Sequence, residues 1–153
     1  PKNPNQFSTS LIEKGKKAFT KAGCITCHTP PLYTNNKLTP VNGFDPPKDH
    51  FEKYDIFNVS VETDSVSALY TRRGTGYYKI PSLRGVWFQS AFFHNGSLTR
   101  LEEVLDPKRL SPDFVPTGFM PPHLTSMAVK GHPFGMELNE EEKKALIAFM
   151  KTL

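Results

Sequence analysis

A chain of 153 residues can enclose one hydrophobic core but not two independent ones, and 37% apolar content beside 14 prolines and 10 glycines implies long ordered loops that need something central to pack against. With 19 Lys and Arg against 15 Asp and Glu the net charge of +4 is mild, and the aromatics are not interleaved with the basic residues, which excludes a nucleic-acid stacking surface. No apolar run nears the ~18 residues of a bilayer span, so no transmembrane segment is expected; no signal peptide opens the chain, consistent with a mature or trimmed form.

Residues 1–7 resemble a flexible lead-in and residues 8–153 a single domain. The first predicted helix covers residues 8–22. Ser8, Thr9 or Ser10 can cap it, Leu11, Ile12, Gly15, Ala18 and Phe19 recur at helical spacing, and Gly23 ends it just before Cys24. Its basic residues Lys14, Lys16, Lys17 and Lys21 are best explained as a solvated face, with steering towards an acidic redox partner as the alternative. Residues 29–80 hold Pro30, Pro31, Pro40, Pro46 and Pro47 without sustained periodicity, which predicts a long loop with a short strand or turn of helix, of the kind that packs a cofactor.

A second helix is predicted over residues 99–105, with Thr99 and Glu102 as a capping box, Leu101, Val104 and Leu105 as the apolar face, and Pro107 as its stop. The third begins after Asn139, which can cap together with Glu142. Glu140 to Glu142 suit the positive helix N-terminus, and Ala145, Leu146, Phe149, Met150 and Leu153 form a buried stripe. Gly15 and Phe19 facing Leu146 and Phe149 would make a crossing of the first and last helices.

The motif that carries chemistry is Cys24-Ile25-Thr26-Cys27-His28. C-x-x-C-H spacing lets two thiols add to the two vinyl groups of a haem while the adjacent imidazole faces the iron, so Cys24 and Cys27 are expected to attach one haem c covalently, with His28 as the proximal ligand. A thioredoxin-like redox pair would open a helix after a buried strand, whereas this motif follows a helix. Zinc would need two further ligands, and His50, His94, His123 and His132 show no paired spacing while no other cysteine exists. A backbone carbonyl from Pro30 or its neighbours is expected to take the second imidazole N–H.

The run Gly74-Thr75-Gly76-Tyr77-Tyr78-Lys79-Ile80-Pro81-Ser82-Leu83-Arg84-Gly85-Val86-Trp87, then Phe93-His94-Asn95-Gly96-Ser97-Leu98 and Leu101-Glu102-Glu103, resembles the C-terminal, electron-accepting haem domain of the bacterial dihaem cytochrome c peroxidase superfamily. Gly131-His132-Pro133-Phe134-Gly135 followed by Ala145-Leu146-Ile147-Ala148-Phe149 is similar to haem domains of the same superfamily, rubber oxygenases included. The resemblance covers roughly residues 10 to 153. It implies a mainly α, cytochrome c-like fold wrapped around one covalent haem, with long ordered loops. The family enzymes carry two C-x-x-C-H motifs and this chain has one, so the second haem and its peroxidatic site are not expected here.

For the sixth iron ligand His132 leads, because it lies in a loop before the last helix, where small c-type cytochromes place theirs, flanked by Gly131 and Pro133; Met127, Met120 and Met136 are the alternatives. A thioether in place of a second imidazole would raise the reduction potential. The resemblance places His94 near the haem pocket and gives Arg84 to the haem propionates, which a guanidinium fork suits. Trp87, Tyr77 and Tyr78 would line the haem or an electron path, with plain core packing as the competing role.

Two functions follow. The first is a monohaem electron carrier, six-coordinate through His28 and His132, exchanging electrons with donor and acceptor proteins and transforming no substrate. The second is a peroxidase-like haem enzyme, or the module that relays electrons within one; ligand sensing at a displaceable His132 or Met is a third possibility. Because bacterial haem attachment follows export, a periplasmic or otherwise extracytoplasmic location is expected.

Overall fold

Ser8 starts the first helix: its Oγ accepts the Leu11 amide at 3.3 Å, and α1 then runs Thr9–Lys21. Its buried side is Gly15, Ala18 and Phe19, as the spacing predicts. Of the four lysines on its outer face, Lys16 pairs with Glu13 and Lys21 with Glu142, both at 2.6 Å and with the ammonium groups well exposed, in keeping with a solvated face. The computed structural model describes residues 2–71 and 74–153, so Pro1 of the expected lead-in lies outside the described residues. Within that lead-in, the Asn3 side chain donates to the Lys151 carbonyl at 2.7 Å.

The proline-rich stretch holds more regular structure than its sequence suggests. β1 (Leu38–Pro40), α2 (Lys48–Lys53), α3 (Val66–Tyr70) and β2 (Tyr77–Lys79) follow one another, and β1 pairs antiparallel with β2 in the register Leu38–Lys79, Thr39–Tyr78, Pro40–Tyr77. Pro40 is tolerated at the end of a two-stranded ribbon, where its missing N–H leaves no ladder position unfilled. Both helices are too short to stand alone, so they depend on packing.

α4 is shorter than predicted, Leu101–Val104, and its cap differs. The Arg100 amide donates to the Glu103 carboxylate at 3.3 Å and its guanidinium donates to the same group at 2.8 Å. Thr99 is drawn away from the helix end by Thr117, to whose oxygen both its hydroxyl and its amide donate, at 2.9 and 3.0 Å. Pro107, expected only as a stop, opens a 3₁₀ turn over Pro107–Leu110 that Asp106 caps.

α5 (Glu140–Met150) matches its prediction: the Asn139 side chain accepts from the Glu142 amide at 2.9 Å while the Glu142 carboxylate accepts from the Asn139 amide at 3.2 Å. α5 crosses α1 at Gly15, where a Cβ would come within 2.1 Å of the Ala145 carbonyl oxygen, so the two backbones touch. Around that crossing Phe19, Tyr33 and Phe149 form three edge-on pairs with centroids 5.5 to 6.0 Å apart, each pair worth ~0.5–1.5 kcal/mol beyond its buried area. The architecture is thus mainly helical with long ordered connections. Among the described residues no helix is long and apolar enough to cross a membrane.

Candidate haem site

Gly23, at φ 76°, ends α1 in the left-handed region and turns the chain into a 3₁₀ turn, Cys24–Thr26. The amides of Cys27 and His28 both donate to the Cys24 carbonyl, at 3.3 and 2.9 Å, which gathers Cys24, Cys27 and His28 on one turn. His28 Nδ1 lies 3.0 Å from the Tyr33 carbonyl. A carbonyl can only accept, so Nδ1 carries the proton and Nε2 keeps the lone pair that a metal requires. The orienting carbonyl is that of Tyr33, three residues beyond Pro30. Tyr33 sits at φ 53° with its ring wedged into the helix crossing, which ties the direction of the imidazole to the core.

Burial pushes the His28 imidazole below its ordinary value, against the carbonyls of Tyr33 and Pro81, which favour the charged ring. Burial also pushes the Cys24 thiol up to about 11 and raises Cys27. Both are free thiols rather than a disulfide. A dithiol redox pair works through a depressed thiol, so this environment does not suit one.

The turn forms one side of an apolar cavity of about 420 Å³, within the range of small-molecule and cofactor sites. Phe19 and Leu146 contribute from the helix crossing, Leu83 and Val86 from the segment after β2, Leu101, Val104 and Leu105 from α4, and Met150 from the end of α5. Thr39, Val61, Thr63, Tyr78 and Ile80, from the proline-rich stretch and the ribbon, complete the lining together with Phe92, Phe93, His94, His132 and Phe134.

His132 reaches the same cavity as His28 from the other end of the chain. Its Nδ1 is buried with no hydrogen-bond partner. Burial, reinforced by the Arg109 guanidinium and by the repulsion that a protonated His28 would add, pushes its imidazole down to about 4, so the ring is neutral at physiological pH. Its carbonyl accepts from Arg109 Nη2 at 2.7 Å, and its ring stands between Phe93 and Phe134, at 6.2 and 5.8 Å. Two neutral imidazoles, two thiols on the adjoining turn and an apolar cavity form a donor set that fits haem c.

Met120, Met127 and Met136 are half-buried and none is among the residues lining the cavity. His94 does line it, held by Thr63 Oγ1 at 3.3 Å and the Asp64 carboxylate at 3.1 Å, with its ring stacked on Tyr78 at 4.5 Å. Arg84 is exposed and Trp87 half-buried with its ring 5.5 Å from Phe88; neither lines the cavity. Thr63, Val61 and Met150 are lining residues that sequence reasoning left out or gave to the core. Arg109 gave no signal as sequence, since a lone Arg after a Pro-Lys pair has the composition of surface.

Residues 76–114 match the family described as RoxA-like, cytochrome c-like. The chain is 26% identical to cytochrome-c peroxidase IdrP2 of Denitromonas iodatirespirans, over 95% of this chain and 40% of that protein. It is 29% identical to methylamine utilization protein MauG of Methylorubrum extorquens, over 92% of this chain and 34% of MauG. A MauG-like protein associated with microbial copper homeostasis superposes with a TM-score of 0.54 at 20% identity, over 97% of this chain and 47% of that one. The chain spans about two fifths of the length of the curated relatives it matches. Fold and relatives agree: the chain has a MauG-like fold, matches a cytochrome c-like family over residues 76–114, and is similar in sequence to cytochrome-c peroxidases and to MauG.

Proposed function

We propose that the domain is a monohaem electron-transfer module, with haem c attached through Cys24 and Cys27 and the iron held between His28 and His132. The observation that carries this reading is the meeting of the two imidazoles at one apolar cavity, His28 with its lone pair left on Nε2 and His132 neutral with a ring nitrogen unpartnered. The bound group supplies one-electron chemistry at iron. The Cys24–His28 turn fixes the attachment point, Tyr33 orients the proximal ring, and the side chains of Leu83, Val86, Leu101, Leu146 and Met150 keep water out. Because attachment follows export, the protein works in the periplasm or otherwise outside the cytoplasm. Donor and acceptor are redox proteins.

Near-infrared and EPR spectra of the ferric protein test the ligand pair. Low-spin bis-imidazole signals that become high-spin in His132→Ala, and acquire a sulfur-to-iron band in His132→Met, are expected. High-spin, water-ligated iron in the unaltered protein, readily binding cyanide, would overturn the carrier.

A second reading has its own support: relatives that are named peroxidases are more than twice the length of this chain's match, so the domain suits an electron-relay part of a peroxidase-like enzyme. Hydrogen peroxide turnover with an electron donor tests that role. Activity of the chain by itself that falls in His94→Ala would support a peroxidatic site within it, and no turnover with any donor would remove that site.

A further inference from the structure

Arg109 has no exposed surface and is the largest fully buried side chain among the described residues. A guanidinium keeps its charge when buried, and leaving that charge without partners is strongly destabilising, as in broken buried pairs. Here the partners are carbonyls rather than carboxylates. Nε donates to Val104 at 3.1 Å, Nη1 to Val129 at 2.6 Å and Nη2 to His132 at 2.7 Å. Val104 is the last residue of α4, so the fork takes up a carbonyl that the helix leaves unpaired. In return the Val129 amide donates to the Arg109 carbonyl at 2.7 Å.

The face of the guanidinium is covered as well. Its central carbon lies 4.9 Å from the centroid of Phe93, whose ring stands edge-on to His132 and closes over Gly131 so tightly that a Cβ there would come within 2.6 Å. Residues 129–132 form no helix or strand of their own. What fixes their backbone is one side chain that bridges both ends of the segment to α4.

We propose that Arg109 is the positioning residue of the distal side: its three-way fork sets the 129–132 segment so that His132 faces the cavity, and its buried positive charge raises the reduction potential of the haem held there. The inference rests on the haem and His132 assignments made above. A fixed cation in a poorly screened interior disfavours the ferric state, which carries one more positive charge than the ferrous state. The hydrogen-bond partners are neutral carbonyls, and the Asp106 carboxylate acts on the guanidinium only through space and less strongly than its burial, so most of that charge stays in place, whereas a bonded carboxylate would cancel it.

Two variants of the haem-loaded protein separate the parts. Arg109→Lys keeps the charge but cannot bridge three carbonyls in a plane, so a high-spin fraction should appear in the ferric EPR spectrum with the potential of the remaining low-spin form near that of the unaltered protein. Arg109→Met removes both, and should show the high-spin fraction together with a lowered potential in redox titration. Unaltered EPR signals and potential in both would overturn the proposal. If Arg109→Met fails to accumulate, Arg109→Lys and Phe93→Leu decide: a high-spin fraction in both supports positioning, and unperturbed low-spin iron in both overturns it. His132→Ala keeps the two levels distinct. Should its spectrum match that of the unaltered protein, the ligand assignment itself fails; should it turn high-spin while the Arg109 variants remain unchanged, only the role of Arg109 fails.

Discussion

His28 and His132 reach one cavity by opposite routes. His28 is placed by its own neighbourhood: the glycine that ends α1, the 3₁₀ turn and a carbonyl five residues further on all lie within ten residues of the motif. His132 is placed by residues from elsewhere, with Arg109 holding its backbone and Phe93 covering its ring. A locally built side is specified by a short string and survives changes at a distance. An assembled side answers to any disturbance in the elements it borrows, and is the natural place for coordination to be adjusted.

Removing the local side should have the largest effect. In Cys24→Ser/Cys27→Ser the thioether links cannot form, and all porphyrin should be extracted by acidified organic solvent, where the unaltered protein retains its own; absorbance of the protein fraction reads this directly. Next comes Gly15→Ala, which pushes a methyl group to 2.1 Å from the Ala145 carbonyl and 2.5 Å from Phe149 Cβ. Because Tyr33 and Leu146 both lean on that crossing, the change should unsettle the two sides together. A loss of about 3 kcal/mol is expected, near the top of the overpacking range. At ~2–4 °C per kcal/mol for a chain of this size, thermal melting reads it clearly.

Gly131→Ala should divide the two sides. Its methyl group meets the Phe93 ring at 2.6 Å, which can shift at a cost of about 1–2 kcal/mol. Attachment at the thiols should be intact while a high-spin ferric fraction grows. Retention of fully low-spin iron would mean that the assembled side is stiffer than its parts suggest.

The smallest change is expected from Glu103→Gln, at about 1 kcal/mol near neutral pH. Burial alone would push the Glu103 carboxyl up, and the bonds from Arg100 and Thr117 outweigh it and hold it below its ordinary value. A depressed carboxyl contributes stability above the ordinary carboxylate range, and that contribution is lost as pH falls through the depressed value. Urea midpoints of the two proteins should therefore converge on acidification below pH ~4.5. A constant gap would show that Glu103 acts through packing alone.

The same contrast between local and assembled construction governs which features are legible in the amino-acid sequence. α1, α5, their caps at Ser8 and Asn139, and the attachment turn are legible because periodicity and capping act over a few residues. The cap of α4 lies one position from where its pattern predicts because Thr99 bonds to Thr117, a partner no local pattern reveals. The ribbon escapes notice for the same reason, since Leu38 meets Lys79 across most of the proline-rich stretch. That Tyr33, among the neighbours of Pro30, supplies the orienting carbonyl is not legible, because its position depends on where the Tyr33 ring is buried. Arg109 is the hardest to foresee: no nearby sequence distinguishes a guanidinium that solvates itself from one that gathers three distant carbonyls.

The contact of α1 with α5 also imposes an order of events on biosynthesis. The helix leading into the attachment turn is made early and its partner last, with the rest of the domain between them, so the interior cannot close until the final helix has emerged. Until then the turn that carries Cys24 and Cys27 stays open to whatever must reach the two sulfurs. Residues 140–150, the last helix of the domain, then close that interior over the turn.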